Sequence, residues 1–550
     1  MITGHFGKEN RLQPYIFDIL PFFNEKEMIK TSINNIIKTI NLKNLKFNKI
    51  FFSFISLVIL FFTAKLILKC AGILPSERNI FLLLILIVIL TSSKKAFWFL
   101  VFPMCTLYAI YSPIGIIYGT PDYSYVASVF ATDFLEMKEF LTHIPIKNYF
   151  YPIFIISGIF LYRFFIVKNN IEFYKNKTLI SIFVIFSMIN QSPAEFFKIT
   201  IRSILEVKNE IVMLNNFKSS SEWGRSHLEN SKYDNYILVI GESARKDYHH
   251  AFGYPINNTP FMSSNNGILV NGLTSGGSNT VSSLRLMLTK PDFKNWKPNY
   301  HLTLIDLVKS ADIKTYWLSN QGYFGYHDTP ISAIAKKSDY KYFLKYGNYD
   351  SKNTSDFLLL EKIKEIIKKS KEKKFIVVHL YGSHSDACDR LIDYKKIANV
   401  NDKKYSYINC YISSINKTDE FLHKLNSFMM KEFSKNQGSY SMLYFADHGL
   451  THNETDGVIY LNNSRLSKFS YDIPLFETSS DSSSRKECYS FKSGLNFIDG
   501  IAKWIGIKNE KINKNYSFFD CKDDPNDYGL RNYIAKTTDY TDPAIDISGK

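Results

Sequence analysis

YILVIGESARKD occupies residues 236–247, and its reading decides the fold. The apolar, β-favouring run YILVI (236–240) passes without a break into Gly241, Glu242 and Ser243. A continuous apolar run bounded by turn residues reads as a strand buried on both faces, as in a parallel sheet covered by helices. Glu242 therefore stands at the mouth of a buried strand, where a carboxylate needs a partner. In such sheets ligands gather at the carboxyl ends of the strands.

Three further runs repeat the pattern: TYWLSN (315–320), KFIVVHLYGSH (374–384) and SMLYFADHG (441–449). Helical patterns lie between them, at 354–370 and around 405–425, so strands alternate with helices and a central, mostly parallel sheet is expected. The third run passes through His379 and ends at His384; the fourth ends in Asp447 and His448. A single polar strand end is an ordinary solvated residue. Three on one sheet edge point to a shared ligand, and carboxylate oxygen with imidazole nitrogen suits zinc, manganese or another divalent ion. A metal shared with Asp447 and His448 is thus the expected partner of Glu242. GGSNTVSSL (276–284) offers a hydroxyl for such a site. A glycine turn places SNT at the start of an apolar helical run, where backbone N–H groups and the helix dipole favour an anion. The plainer reading makes Ser278, Asn279 or Thr280 a helix cap.

At 550 residues the chain is expected to hold two or more domains. Its net charge of +16 suits anionic lipid, a phosphorylated glycan or nucleic acid. No nucleic-acid-reading motif is present, and the aromatics sit in apolar runs, so no nucleic-acid partner is expected. Five such runs precede residue 195: 51–69, 79–92, 95–119, 149–167 and 178–190. They read as five transmembrane helices, the second and fifth short for a bilayer; the alternative is buried core helices. No apolar stretch near residues 1–25 reads as a cleavable signal. Lys38, Lys43, Lys46 and Lys49 before the first span, Lys94 and Lys95 after the second, and Lys168, Lys175 and Lys177 after the fourth fall on one side, which is cytoplasmic by the positive-inside rule. The loop 120–148 and everything beyond residue 195 then lie outside. Lys65, within the first span, is a functional candidate or a snorkelling side chain. The organisation expected is a cytoplasmic segment (1–46), a transmembrane domain (47–195), a linker helix with a polar linker (196–231) and an exported α/β domain (232–550). Of the six cysteines, Cys388, Cys410, Cys488 and Cys521 are in the exported part, where disulfides persist, and pairing of neighbours is the simplest arrangement. None has CxxC spacing, against a zinc–cysteine site.

The order GESAR, N-T, GSH, DHG resembles the phosphoethanolamine transferases of the bacterial inner membrane, within the alkaline phosphatase/sulfatase superfamily. The similarity includes the five-span anchor and runs from GESARKDYHHAFGYPINNTPF (241–261) through SNQGYFGYHDTPISAIAKKSD (319–339), HLYGSHSDACDRL (379–391) and YFADHGLTH (444–452) to YDIPLF (471–476). It looks closest to the branch acting on lipopolysaccharide core or glycans. The resemblance implies that Thr280 is the nucleophile and that Glu242, Asp447 and His448 bind zinc with it. His384 stands where the family places a histidine for a second metal or for the phosphate. The family's other such histidine is replaced by Asn462, with His452 as a candidate substitute, so one zinc is implied, or two. Ser128, Thr132 and Glu136, spaced i, i+4, i+8, share one face if 120–148 is helical. Related enzymes contact the ethanolamine head from the corresponding loop, although an amphipathic interfacial helix gives the same spacing.

The mechanism expected is covalent transfer. Thr280 takes phosphoethanolamine from phosphatidylethanolamine, and a lipid A, core-sugar or other envelope-glycan acceptor then takes it from Thr280. His384 protonates the leaving oxygen or holds the phosphate. The enzyme is expected as a monomer in the inner membrane, with its catalytic domain in the periplasm. Two other readings stand beside it: a phosphoglycerol transferase or sulfatase-type hydrolase, and a non-catalytic, membrane-anchored glycan-binding module. Thr280 argues against a sulfatase, which uses Cys or Ser.

Overall fold

The structure is a computed structural model that describes residues 45–91, 93–132, 134–171, 194–215, 221–322, 329–345, 353–435, 438–538 and 541–550. Its N-terminal part is helical. The helices named here are α1 (Leu45–Cys70), α2 (Glu77–Leu90), α3 (Phe102–Tyr118), α4 (Tyr123–Ala131), α5 (Phe134–Thr142), α6 (Tyr151–Lys168) and α7 (Ala194–Asn215). Among the described residues, three segments are long and apolar enough to cross a membrane: Lys49–Cys70, Lys94–Tyr118 and Ile146–Lys168. Their shared core includes Leu60, Ile67, Cys105, Tyr108 and Ile159, while Phe54, Phe62, Phe99 and Phe164 face outward. An apolar exterior of that kind is what a lipid environment asks for.

Five crossings are not what the described residues contain. The second expected span forms α2, a helix of 14 residues. At 1.5 Å per residue it is about 21 Å long, short of a bilayer core of about 30 Å. It packs on the bundle through Ile80, Leu83 and Ile87. The fifth expected span, 178–190, lies outside the described residues.

The C-terminal part is built on an eight-stranded sheet. Its strands are β1 (Asn235–Gly241), β2 (Gly267–Thr274), β3 (Lys314–Gly322), β4 (Tyr340–Lys345), β5 (Lys374–His379), β6 (Tyr440–Ala446), β7 (Leu475–Ser479) and β8 (Arg485–Ser493). They are ordered β8-β2-β7-β6-β1-β5-β3-β4. β1 lies between β5 and β6 and is parallel to both, with Ile240 level with His379 and with Phe445. β7 alone runs against its neighbours, β2 and β6. β1, β5 and β6 are buried along their whole length, as their apolar runs require. The helices Leu358–Lys369 and Ser406–Phe433 cover one face over Ile237, Val239 and Val378. The other face carries Leu238, Ile240 and Val377 against α8 (Thr280–Met287), α9 (Pro330–Lys336) and the helix Phe497–Ile505. Disulfides join Cys388 to Cys410 and Cys488 to Cys521, the pairing of neighbours.

Candidate active site

The carboxyl ends of β1, β3, β5 and β6 converge on one spot. Glu242 follows β1 directly, and the chain turns at Ser243, whose φ of 54° is a left-handed conformation uncommon for serine. The turn is clamped from β6: Ser243 N–H and His448 N–H both donate to Asp447 Oδ1, each at 2.8 Å. Gly382, after β5, has φ 44°, and a Cβ there would sit 3.0 Å from Glu242 N, so glycine lets this loop close against the turn.

Glu242, Asp447 and His448 are buried, and one ligand atom from each lies within 4.8 Å of the others. His448 Nδ1 donates to Gly449 O at 2.7 Å, so Nε2 is the nitrogen that offers a lone pair when the imidazole gives up its proton to a metal. That atom faces Thr280 Oγ1 at 3.4 Å and one oxygen each of Glu242 and Asp447 at 3.5 Å. Asp447 Oδ2 is buried with no hydrogen-bond partner. Burial, and then the charge of Glu242 beside it, push the Asp447 carboxyl up to about 7. Burial alone would lower His448, but Asp447 and Glu242 outweigh it and hold the imidazole up to about 9. Two crowded carboxylates, an orphaned carboxylate oxygen and an imidazole lone pair aimed at the same point are a donor set that fits a divalent cation such as zinc.

Thr280 opens α8, but the cap is Asn279. Its side chain accepts from Ser282 N–H, and Ser282 answers in a capping box. The threonine hydroxyl is thereby released from capping, and it donates to Glu242 Oε1 at 3.2 Å. Gly277 lets the preceding turn pass close to this helix, since a Cβ there would meet Ser282 Oγ at 2.4 Å.

A cavity of about 880 Å³ lies over this cluster, and His384, Ser128, Thr132 and Glu136 line it together with Glu242, Thr280 and His448. His384 Nε2 is 4.0 Å from Glu136 Oε1. Burial, then the cations Arg390 and Lys345, hold His384 well below the usual histidine range. It stays neutral near pH 7, which suits a hydrogen-bonding partner better than a proton donor. The i, i+4, i+8 reading of the loop needs correction. α4 ends at Ala131, Thr132 is extended (φ −83°, ψ 131°) and α5 follows, so Ser128 and Glu136 reach the cavity from two helices and Thr132 from the junction between them. Thr132 Oγ1 donates to Ser128 O at 2.6 Å, a hydroxyl-to-carbonyl bond suited to a helix end.

His452 does not substitute at Asn462. Both lie on the hairpin Thr451–Thr455/Val458–Asn462, where His452 pairs with Leu461 and Asn462 with Thr451. Neighbouring ladder positions face opposite ways, and Asn462 lines the cavity while His452 does not. His452 Nδ1 is held by Asp542 Oδ1 at 2.6 Å, and Nε2 meets the Tyr248 hydroxyl at 2.6 Å. Among the described residues, the other acidic gathering is Glu139, Asp386 and Asp389, in which Glu139 is already gripped by Arg390.

Gln321 escaped the sequence reading, and His379 entered it without a role. Gln321, at the end of β3, donates to Glu242 Oε2 at 3.0 Å. His379 is buried at the end of β5, lines the cavity beside Trp317 and has no partner at Nε2. Its place at a strand end was a signal; nothing in the sequence marked Gln321.

The Sulfatase family matches residues 234–507. A Haemophilus influenzae chain provisionally named a phosphoethanolamine transferase is 49% identical over 390 residues, covering 70% of this chain and 80% of its own length. The Escherichia coli phosphoethanolamine transferase OpgE is 31% identical over 464 residues, covering 80% of this chain and 85% of its own. The solved integral membrane lipooligosaccharide phosphoethanolamine transferase A of Neisseria meningitidis shares the fold at TM-score 0.57 and 15% identity, over 80% of this chain and 90% of that one.

Proposed function

Because the chain belongs to the membrane phosphoethanolamine transferases of the alkaline phosphatase/sulfatase superfamily, we propose that it takes phosphoethanolamine from phosphatidylethanolamine onto Thr280 and passes it to an envelope glycan. Lipid A and core sugars of lipopolysaccharide are among the acceptors. The work is done in the inner membrane by a monomer whose catalytic domain faces the periplasm. The observation that carries this reading is the reach of the cavity. Its lining runs from Thr280 past Ser128 and Glu136 to Ile114 and Tyr118, in the last turns of the apolar helix α3. A lipid headgroup entering from the membrane meets the threonine without leaving that cavity.

Glu242, Asp447 and His448, with the Thr280 hydroxyl, would hold one zinc. Bound there, zinc supplies Lewis-acid stabilisation of negative charge on oxygen. The chain's own groups account for the rest. Thr280 Oγ1 attacks phosphorus in line, forming Thr280–O–P as the bond to the glycerol oxygen breaks. Its proton departs toward Glu242, along the hydrogen bond already made. The diacylglycerol oxygen takes up a proton from solvent on the opposite, cavity side, to be replaced by the acceptor's proton in the second step, and neutral His384 offers the phosphoryl group a hydrogen bond. The Glu136 carboxylate receives the ammonium. An acceptor hydroxyl or phosphate oxygen then attacks the same phosphorus, and Thr280 regains its proton, the two-step logic of covalent catalysis.

The test is mass spectrometry of the Thr280 peptide after the detergent-purified protein has met phosphatidylethanolamine. A phosphoethanolamine adduct is expected, absent in Thr280→Ala and after chelation. Labelling by phosphatidylglycerol instead would transfer the reading to phosphoglycerol. An unlabelled peptide with both lipids would overturn it.

A further inference from the structure

Helix α5 and His143, the residue after it, turn three side chains toward the exported domain, at i, i+3 and i+7, and each meets a partner there. Glu136 approaches His384; both Glu139 oxygens take a bond of 2.6 Å from Arg390 Nη2; His143 Nε2 lies 2.7 Å from Asp386 Oδ1. The Glu139–Arg390 pair is almost wholly withdrawn from solvent, its side chains 6% and 3% exposed. Arg390 also donates to Asn353 Oδ1 and, at 2.9 Å, to Ser385 O. Its guanidinium lies over the Tyr381 ring at 4.1 Å, and that ring stacks on the His384 imidazole at 5.0 Å with 17° between planes. These contacts close a ring: Glu136, one helical turn to Glu139, Arg390, Tyr381, His384, and across a gap of 4.0 Å back to Glu136. Two residues before Arg390, Cys388 is bonded to Cys410 on the helix Ser406–Phe433, so the ring is backed by a long helix of the exported domain.

The gap is what gives the ring a purpose. At 4.0 Å, His384 and Glu136 are too far apart to hydrogen bond, and both line the cavity. An imidazole that meets phosphate and a carboxylate that meets an ammonium are matched to the two ends of an ethanolamine phosphate. One of them belongs to the membrane-proximal helix and the other to the exported domain, so their separation is set by whatever joins those two parts. We propose that Arg390 is a positioning residue for headgroup selection: by gripping Glu139 it fixes Glu136 against His384, and so favours an ammonium-bearing headgroup over a polyol one. This rests on the proposed transfer from phosphatidylethanolamine. Arg390 touches neither phosphorus nor leaving group.

The test uses the full chain in detergent and compares Thr280 labelling rates from phosphatidylethanolamine and phosphatidylglycerol. The ratio of the two rates is insensitive to how much protein is folded, because misfolding lowers both alike. The wild type is expected to prefer the ethanolamine lipid. In Arg390→Lys, a point charge replaces a planar guanidinium that holds Glu139, Asn353 and Ser385 O at once and lies on the Tyr381 ring, and the ratio is expected to fall by about tenfold. The double variant Glu139→Gln/Arg390→Gln leaves no orphaned buried charge, so its thermal midpoint is expected to return toward wild type while the ratio stays low. A double variant that keeps the wild-type ratio would overturn the proposal and leave the pair a structural fastening. A wild-type chain labelled by neither lipid would overturn the transfer reading and this inference with it.

Discussion

At Glu242 the two carboxylate oxygens are shared among different donors. Oε1 accepts from Ser243 Oγ at 2.7 Å and from Thr280 Oγ1, whereas Oε2 accepts from Gln321 Nε2. The Gln321 amide is itself aimed, because it also donates to Leu380 O at 2.8 Å. Groups that orient a metal ligand commonly contribute about 10–100-fold in affinity. At the zinc site proposed above, Gln321→Ala is therefore expected to weaken zinc about 10–100-fold without changing its stoichiometry, measured by chelator competition on the zinc-loaded protein. Equal affinities would mean that Ser243 and the strand hold Glu242 unaided. The contrast between these residues shows what the sequence could disclose. Glu242, Asp447 and His448 are polar groups ending apolar strands, and that break in pattern is visible in a linear reading. Gln321 lies one residue past the apolar run 315–320, and β5 separates its strand from β1. Only the folded sheet brings its amide to Glu242. Whether Thr280 caps its helix was equally beyond spacing, since it depends on Asn279 making the capping bond.

The strands that were easiest to read are those that carry the site: long apolar runs buried on both faces. β2, β7 and β8 left weaker marks, because polar residues interrupt each of them and the edge strand β8 is partly exposed. β7 is also the antiparallel strand, and it holds a buried carboxylate. Glu477 is 7% exposed and accepts from Ser441 Oγ at 2.6 Å, while Trp504 Nε1 donates to the same hydroxyl at 2.8 Å. Burial pushes the Glu477 carboxyl from 4.5 up to about 7, against the lowering effect of the serine. The folded state therefore holds a proton that the unfolded chain gives up between pH 4.5 and 7. Stability from this group is full below the lower value, falls as pH rises, and is lost once the folded carboxyl has ionised. Glu477→Gln keeps an acceptor for Ser441 and removes the titration. Its thermal midpoint is expected to match wild type near the lower pH and to exceed it at pH about 8, by up to about 3 kcal/mol of stability. A difference independent of pH would show that packing and not ionisation governs the site.

Across the whole molecule, the cavity is where the apolar N-terminal helices and the α/β domain meet. Val281, next to Thr280, packs with Val126 and Ala127 of α4 and Val207 of α7, so the helix bearing the threonine is seated on membrane-proximal helices. Below it the cavity is lined by Ile114, Tyr118 and Phe140, and its lip by Val129, Met137 and Leu141, which are 58%, 44% and 40% exposed. An apolar lip beside a polar reaction centre is costly in water and useful at a bilayer, where acyl chains cover it. If donor lipid slides over that lip, a charge placed on it should hinder a bilayer-held donor and spare one delivered from water. Leu141 is exposed enough for Leu141→Asp to fold. Thr280 labelling from phosphatidylethanolamine vesicles is then expected to fall by about tenfold relative to labelling from a short-chain, water-soluble phosphoethanolamine ester, since a carboxylate at the acyl boundary costs roughly 1–3 kcal/mol. The ratio between the two donors again cancels any loss of folded protein. Equal slowing with both donors would place Leu141 in the seating of α5, and an unchanged ratio at full rate would mean that the lipid reaches Thr280 by another side of the cavity.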